Sequence, residues 1–287
     1  DLTVTGVQTC ALPISFEKYL KSCREAGRSV ALVPTMGGLH EGHLKLVDKA
    51  KECSNVVVVS VFVNPTQFAE NEDFEAYPKS LSEDKEILEV IKVDAMFVPL
   101  DNQIYPEGSS QDYDVGEIGK ILCGISRPIH FNGVAQVVAR LFEIIKPDYD
   151  VFGVKDYQQL LIIKTLVERL GIKTTIVSVP TVRESDGLAM STRNNYLSPE
   201  DRTKAPLFYQ QLVDTKAAIQ SGTDISSATE QAVDALNTVF DVEYVEVLNA
   251  NNLTQITTSS SEIIIISAVK LGETRLIDNI VFRRSDV

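Results

Sequence analysis

Apolar positions along this chain follow two rhythms in turn. Val30–Val33, Val56–Val63, Ala95–Val98, Tyr149–Phe152 and Thr174–Val179 are compact apolar runs of strand length. Val56–Val63 is β-branched and apolar on both faces, as a central parallel strand requires. Between these runs apolar residues return every three or four positions, which predicts helices over Phe16–Ala26, Gly42–Cys53, Leu81–Lys92 and Val134–Ile145, and another ending at Leu170. Gly27 stands where a C-terminal helix cap belongs. Residues 69–80 are polar and keep neither rhythm.

Strands alternating with helices predict a parallel sheet covered by helices, so residues 1–180 read as a Rossmann-like α/β domain. After Pro180 the pattern changes. Thr181–Ser198 is dense in polar groups without a period, and then helices over Pro199–Ser221 and Ala228–Phe240 lead to strands near Glu243–Leu248, Glu262–Val269 and Thr274–Val281. Residues 181–287 are thus expected to form a smaller α+β domain with lid, substrate-closing or dimer duties, since they hold no histidine and no glycine-rich turn. Residues 1–15 are set apart as atypical or non-native. Asp1–Pro13 has no initiator Met, no basic stretch and no long apolar segment, and is not expected to be a signal peptide.

Composition narrows the function classes. A hydrophobic fraction of 44% suffices for a real core. Lys plus Arg number 27 against 40 Asp plus Glu, a net charge of −13 that argues against nucleic acid and against anionic membrane as partners. A small anionic substrate then needs a locally basic pocket. The longest apolar runs, Val56–Val63 and Ile263–Ile266, fall far short of a membrane span. Cys10, Cys23, Cys53 and Cys123 are scattered without a C-x-x-C pair, which suggests neither a zinc site nor a disulfide framework, and reduced thiols in a cytoplasm are expected.

The chemistry gathers at the strand ends. After Val30–Val33, the stretch Pro34-Thr35-Met36-Gly37-Gly38-Leu39-His40-Glu41-Gly42-His43 breaks the strand and opens a helix. Such a turn aims backbone N–H groups and a positive helix end at an anion. His40 and His43 fall on one face of the first helical turn, where both imidazoles reach one phosphate. A capped helix with two surface histidines, or a zinc site with His130, are the other readings of the same residues. Asn64 and Gln67 follow Val56–Val63 at the end of the sheet where ligands bind. Glu83 and Asp84 suit a magnesium ion or plain solvation, and Arg127 suits a substrate anion or a surface acid. Past Tyr149–Phe152 come Lys155, fit for a phosphate, Asp156, fit for a ribose, a metal or a helix cap, and the neutral amides Gln158 and Gln159. Ser191, Thr192 and Arg193 offer two hydroxyls and a guanidinium in a segment that reads as a phosphate lid or as a linker.

Four motifs taken together, Pro34–His43, Phe62–Phe68, Phe152–Gln159 and Met190–Arg193, closely resemble the pantothenate synthetases, or pantoate–beta-alanine ligases, within the H-x-G-H nucleotidylyltransferase superfamily. The similarity runs from about Phe16 to Arg284 and includes Leu271–Asn279. The resemblance implies that pantoate attacks the α-phosphate of Mg-ATP, that pyrophosphate leaves, and that β-alanine displaces AMP from pantoyl adenylate to give pantothenate. It also implies that Met36, Gly37, Gly38, Leu39, His40, Glu41, Gly42 and His43 bind ATP, with His43 as proton donor and His40 its partner on the phosphates. Gly153, Val154, Lys155, Asp156, Val182, Met190, Ser191, Thr192 and Arg193 complete the ATP site, with Lys155 and Arg193 stabilising the transferring phosphoryl. Gln67 and Gln159 hold pantoate beside Asn64. A cytoplasmic homodimer with Mg2+ as the metal, binding neither nucleic acid nor membrane, is implied as well. Two positions depart from the family pattern: Val154 stands where Glu is frequent, and Thr192 where Ser is usual.

Overall fold

The computed structural model describes residues 8–10, 13–70, 72–78, 80–107 and 112–283. In chain order these form β1 (Gln8–Cys10), α1 (Pro13–Glu25), β2 (Val30–Thr35), α2 (Glu41–Cys53), β3 (Val56–Val61), α3 (Leu81–Val90) and β4 (Ala95–Phe97). The single-turn helices α4 (Asp101–Ile104) and α5 (Cys123–Ser126) precede α6 (His130–Ile145), β5 (Tyr149–Gly153), α7 (Tyr157–Arg169) and β6 (Thr175–Val179). There follow α8 (Pro199–Lys204), α9 (Pro206–Gln220), α10 (Ile225–Leu236), β7 (Asp241–Asn249), β8 (Glu262–Leu271) and β9 (Thr274–Arg283).

The chain divides into two compact units: one takes residues up to Val154 and Ile162–Pro180, the other Lys155–Leu161 and everything from Thr181 onward. In the first unit six strands pair in the order β1-β4-β3-β2-β5-β6, all parallel. Parallel pairing buries both faces, and all six residues of β3 are buried accordingly. Val47 and Ala50 of α2 and Leu88 of α3 share one cluster with Ala31, Val33, Val57, Val59, Met96 and Val151. Helix α6 is buried along most of its length, and its Ala135 and Ala139 meet Leu166 of α7.

In the second unit β7, β8 and β9 form an antiparallel sheet. One face carries Val245, Val247, Ile263, Ile265, Leu276 and Phe282 against Phe208 and Leu212 of α9 and Ala228 and Ala232 of α10. No helix among the described residues is long and apolar enough to cross a membrane. No disulfide joins Cys23, Cys53 and Cys123.

Several elements differ from the sequence reading. The helix expected over Pro199–Ser221 is two helices, because Pro206 has no N–H to continue the first and starts the second instead. The helix expected over Ala228–Phe240 begins at Ile225, where the Asp224 carboxylate accepts the Ser227 N–H, and ends at Leu236. Helix α6 gains a turn, His130–Gly133, ahead of its strongly apolar stretch. Part of the atypical head joins the main sheet, with Gln8 opposite Ala95; Asp1–Val7, Ala11, Leu12 and the side chain of Cys10 lie outside the described residues.

Candidate active site

The turn after β2 is built around one buried carboxylate. Gly37 and Gly38 have φ of +83° and +62°, and a Cβ on Gly37 would lie 2.8 Å from Asp84 Oδ2, so glycine is required there both by conformation and by space. Asp84, 2% exposed, accepts the N–H of Gly38 at 3.0 Å and of Leu39 at 2.8 Å. Thr35 Oγ1 donates to the Ser60 carbonyl at 2.8 Å and accepts the Gly37 N–H at 3.2 Å. The backbone from Thr35 to Leu39 is thereby tied to α3 and β3 before any ligand arrives.

The two histidines cap helix α2 reciprocally. His40 is the N-cap, and its Nδ1 accepts the Gly42 N–H at 3.1 Å, while His43 Nδ1 accepts the His40 N–H at 3.2 Å. A ring nitrogen that accepts an N–H carries no proton, so in each neutral imidazole the proton sits on Nε2. The rings lie 4.1 Å apart, centroid to centroid. Both are therefore fixed in one tautomer at the positive end of a helix of 13 residues. Capping and anion reading, alternatives in the sequence, are compatible here: Nδ1 caps, and the other nitrogen of each ring carries the donor.

The turn after β3 lies alongside, since β2 and β3 are neighbours. Gln67 Nε2 donates to Met36 Sδ at 3.2 Å. Asn64, 1% exposed, is turned inward: its amide donates to Gln67 Oε1 and to the Gly133 carbonyl, each at 3.0 Å. Its oxygen accepts from Tyr105 Oη at 2.6 Å and Thr66 Oγ1 at 3.0 Å. Burial pushes the Tyr105 hydroxyl pKa up, against the opposing effect of those hydrogen bonds, so it stays a donor. The backbone carbonyl of Gln67 accepts from His130 Nδ1 at 3.1 Å and Arg127 at 3.4 Å. Arg127 in turn makes a bidentate pair with Glu72, at 2.8 and 2.6 Å. The pair with Glu72 is largely buried. His130 is directed to the Gln67 carbonyl, and no metal-binding group of three His, Cys, Asp or Glu occurs among the described residues.

The chain leaves β5 through the 3₁₀ turn Val154–Asp156, where Lys155 Nζ lies 3.7 Å from Asp156 Oδ2. Helix α7 begins directly after, and brings Gln158 and Gln159 in its first turn. Val182 and Met190 pair across a hairpin, with the Met190 N–H on the Val182 carbonyl at 3.0 Å. Ser191 Oγ accepts the Arg193 N–H at 3.3 Å and opens the 3₁₀ turn Thr192–Tyr196. The segment that read as lid or linker is thus ordered by its own hydrogen bonds.

Sequence reasoning missed Gly133 and Tyr105, and it singled out Asp84 without its part in ordering the glycine turn. Asp84 offered a signal, since with Leu88 and Ile91 it falls at i, i+4 and i+7, which places a carboxylate on the apolar stripe of α3. Gly133 and Tyr105 offered none, because their roles come from packing between distant segments.

Residues 8–281 match the family model described as pantoate-beta-alanine ligase. The chain is 48% identical over 278 residues to a pantothenate synthetase of Ruthia magnifica subsp. Calyptogena magnifica, covering 97% of this chain and 100% of that one. A crystal structure of pantothenate synthetase from Thermus thermophilus superposes with a TM-score of 0.90 at 40% identity, over 96% of this chain and 99% of that one. A Francisella tularensis pantoate-beta-alanine ligase complexed with beta-gamma ATP and beta-alanine superposes with a TM-score of 0.81 at 34% identity, over 96% and 97% of the two chains.

Proposed function

This chain belongs to the pantoate–beta-alanine ligase family, and from that membership we propose how its residues divide the work. The reaction is the ATP-dependent condensation of (R)-pantoate with β-alanine through a pantoyl adenylate, with release of AMP and pyrophosphate. A carboxylate nucleophile is already ionised at neutral pH, so the first step needs alignment and charge stabilisation rather than a general base. Met36–Leu39 and the amino end of α2 take the nucleotide phosphates, and His40 and His43 donate from Nε2 to oxygens that gain charge during transfer. Mg2+ enters with the triphosphate as part of the substrate.

Gln67 and Gln159 orient pantoate with neutral amides, which align its carboxylate without neutralising it. Gln67 also lies near β-alanine in this reading. Asn64 acts through Gln67, because both of its amide hydrogens and its oxygen are committed within the protein. Gly153–Asp156, Val182 and Met190–Arg193 complete the nucleotide contacts, with Lys155 and Arg193 stabilising the transferring phosphoryl and the departing pyrophosphate. Residues 1–180 carry ATP and pantoate binding and residues 181–287 the closing role. The homodimer and the cytoplasmic setting come with the family resemblance.

The observation that carries the reading is the reciprocal capping of His40 and His43 beside a turn whose N–H groups Asp84 already orders. The test is pantoate-dependent exchange of labelled pyrophosphate into Mg-ATP, followed by addition of β-alanine. Exchange without the amine, and stoichiometric AMP release only with it, is the expected result. AMP formation that requires β-alanine from the start, with no exchange before it, would overturn the adenylate order.

A further inference from the structure

The run Leu271–Asn279 ends in two polar residues that the reaction has not yet used. Asp278 and Asn279 stand in the middle of β9 at 2% and 4% exposure, in a sheet whose inward positions are otherwise mostly Leu, Ile, Val and Phe. Successive strand residues face opposite sides. On one side Asp278 receives Arg183 through two hydrogen bonds, Nη1 to Oδ2 at 2.6 Å and Nη2 to Oδ1 at 2.9 Å. The same guanidinium donates to the Gly187 carbonyl at 3.1 Å and lies 3.5 Å above the Tyr209 ring. Arg183 thereby fixes the root and the tip of the hairpin whose closing strand runs into Met190–Arg193, and β9 also packs on the Thr192–Tyr196 turn. On the other side Asn279 Nδ2 donates to the Lys155 carbonyl at 3.0 Å. The Asn279 N–H in turn donates to Asp278 Oδ1 at 2.7 Å, which links the two anchors.

A buried ion pair is seldom more stabilising than an apolar replacement of the same shape, whereas a bidentate pair fixes orientation closely. The arrangement is therefore better suited to positioning than to stability. We infer that Asp278 and Asn279 are positioning residues for the nucleotide. Two consecutive residues of one strand set, in a single frame, the backbone of Lys155 and the hairpin that presents Ser191, Thr192 and Arg193. The inference rests on the reading of Lys155 and Arg193 as phosphate ligands.

The experiment is a double-mutant cycle read by pyrophosphate exchange in the full-length protein. Asn279→Asp keeps the shape of the side chain but replaces the donor with an acceptor facing the Lys155 carbonyl. It is expected to lower exchange by about tenfold or more, the scale of a misplaced phosphate ligand, while the pantoate KM stays within about twofold. In a Lys155→Ala background the same change is expected to cost less than about twofold, since the group it positions is gone. An equal loss in both backgrounds would overturn the inference while leaving the role of Lys155 intact. Full exchange in Lys155→Ala alone would overturn the phosphate reading and the inference with it. Arg183→Gln, placed on the hairpin rather than in the sheet, supplies a second cycle against Arg193→Ala with the same expectations, should Asn279→Asp not fold. A shared rise in the KM values for ATP and pantoate for both positioning variants would mark a merely structural role.

Discussion

A carboxylate in the first turn of a surface helix is ordinarily solvated, yet both oxygens of Asp84 accept backbone N–H groups from the glycine turn. Two effects of opposite sign follow for ATP. The negative charge repels phosphates, at roughly 1 kcal/mol per pair in water and more for a carboxylate as buried as Asp84, although the two N–H groups it accepts offset part of that charge. Against this, each hydrogen bond to a charged group is worth about 1.5–3 kcal/mol, and losing one frees a turn in which Gly37 and Gly38 have many conformations open to them. Geometry should win. Asp84→Asn keeps one acceptor and turns an NH2 towards a backbone N–H, so the KM for ATP in pyrophosphate exchange is expected to rise by about tenfold, or about 1.4 kcal/mol. Tighter ATP binding in that variant would show that the carboxylate acts chiefly as a repelling charge.

At the scale of elements, the contact between α6 and the Pro65–Gln67 turn sets where Gln67 stands. A Cβ on Gly133 would lie 2.4 Å from the Thr66 carbonyl oxygen and 2.6 Å from the Gln67 nitrogen. These are backbone atoms, so no rotamer change relieves the clash and either the helix or the turn must shift. Gly133→Ala gains roughly 1 kcal/mol of helix propensity but incurs about 1–3 kcal/mol of overpacking, so it is expected to lower the melting temperature. Its kinetic signature is a larger rise in the KM for pantoate than in that for ATP; an ATP effect equal to the pantoate effect would refute the assignment of this contact to the Gln67 turn. Such a contact explains what the sequence could and could not disclose. The strands and the Met36–His43 turn were legible because period, β-branching and glycine are local signals. The break at Pro206 is legible too, but the apolar pattern runs through it and masks it. Gln8–Cys10 is too short to display alternation, and α6 hides its first turn because Asn132 and Gly133 do not look like helix starters. Asp84, Gly133 and Asp278 act through segments 46, 66 or 95 residues away in the chain, and no local pattern encodes the partner.

For the whole molecule the feature with the widest consequence is Asp150, fully buried in β5 inside the six-stranded sheet. Neither carboxylate oxygen has a side-chain hydrogen-bond partner, and burial holds its pKa well above the usual carboxylate range, with only the adjacent Val151 N–H opposing the shift. Below the unfolded-state value of about 3.9 both folded and unfolded chains carry this proton, and the group adds no pH dependence. As pH rises past that value the unfolded chain releases the proton and the folded chain keeps it, so stability falls by up to about 1.4 kcal/mol per pH unit until the folded-state pKa is reached. The repulsion within a chain of net charge −13 also grows over this range, but a single substitution leaves most of it unchanged. Asp150→Val replaces the buried acid with an apolar side chain that suits a strand. Its melting temperature is expected to exceed that of the parent at pH 8, by a margin that shrinks as the pH approaches 4. A margin that stays the same across that range would mean that Val improves packing alone and that the carboxyl does not couple folding to protons.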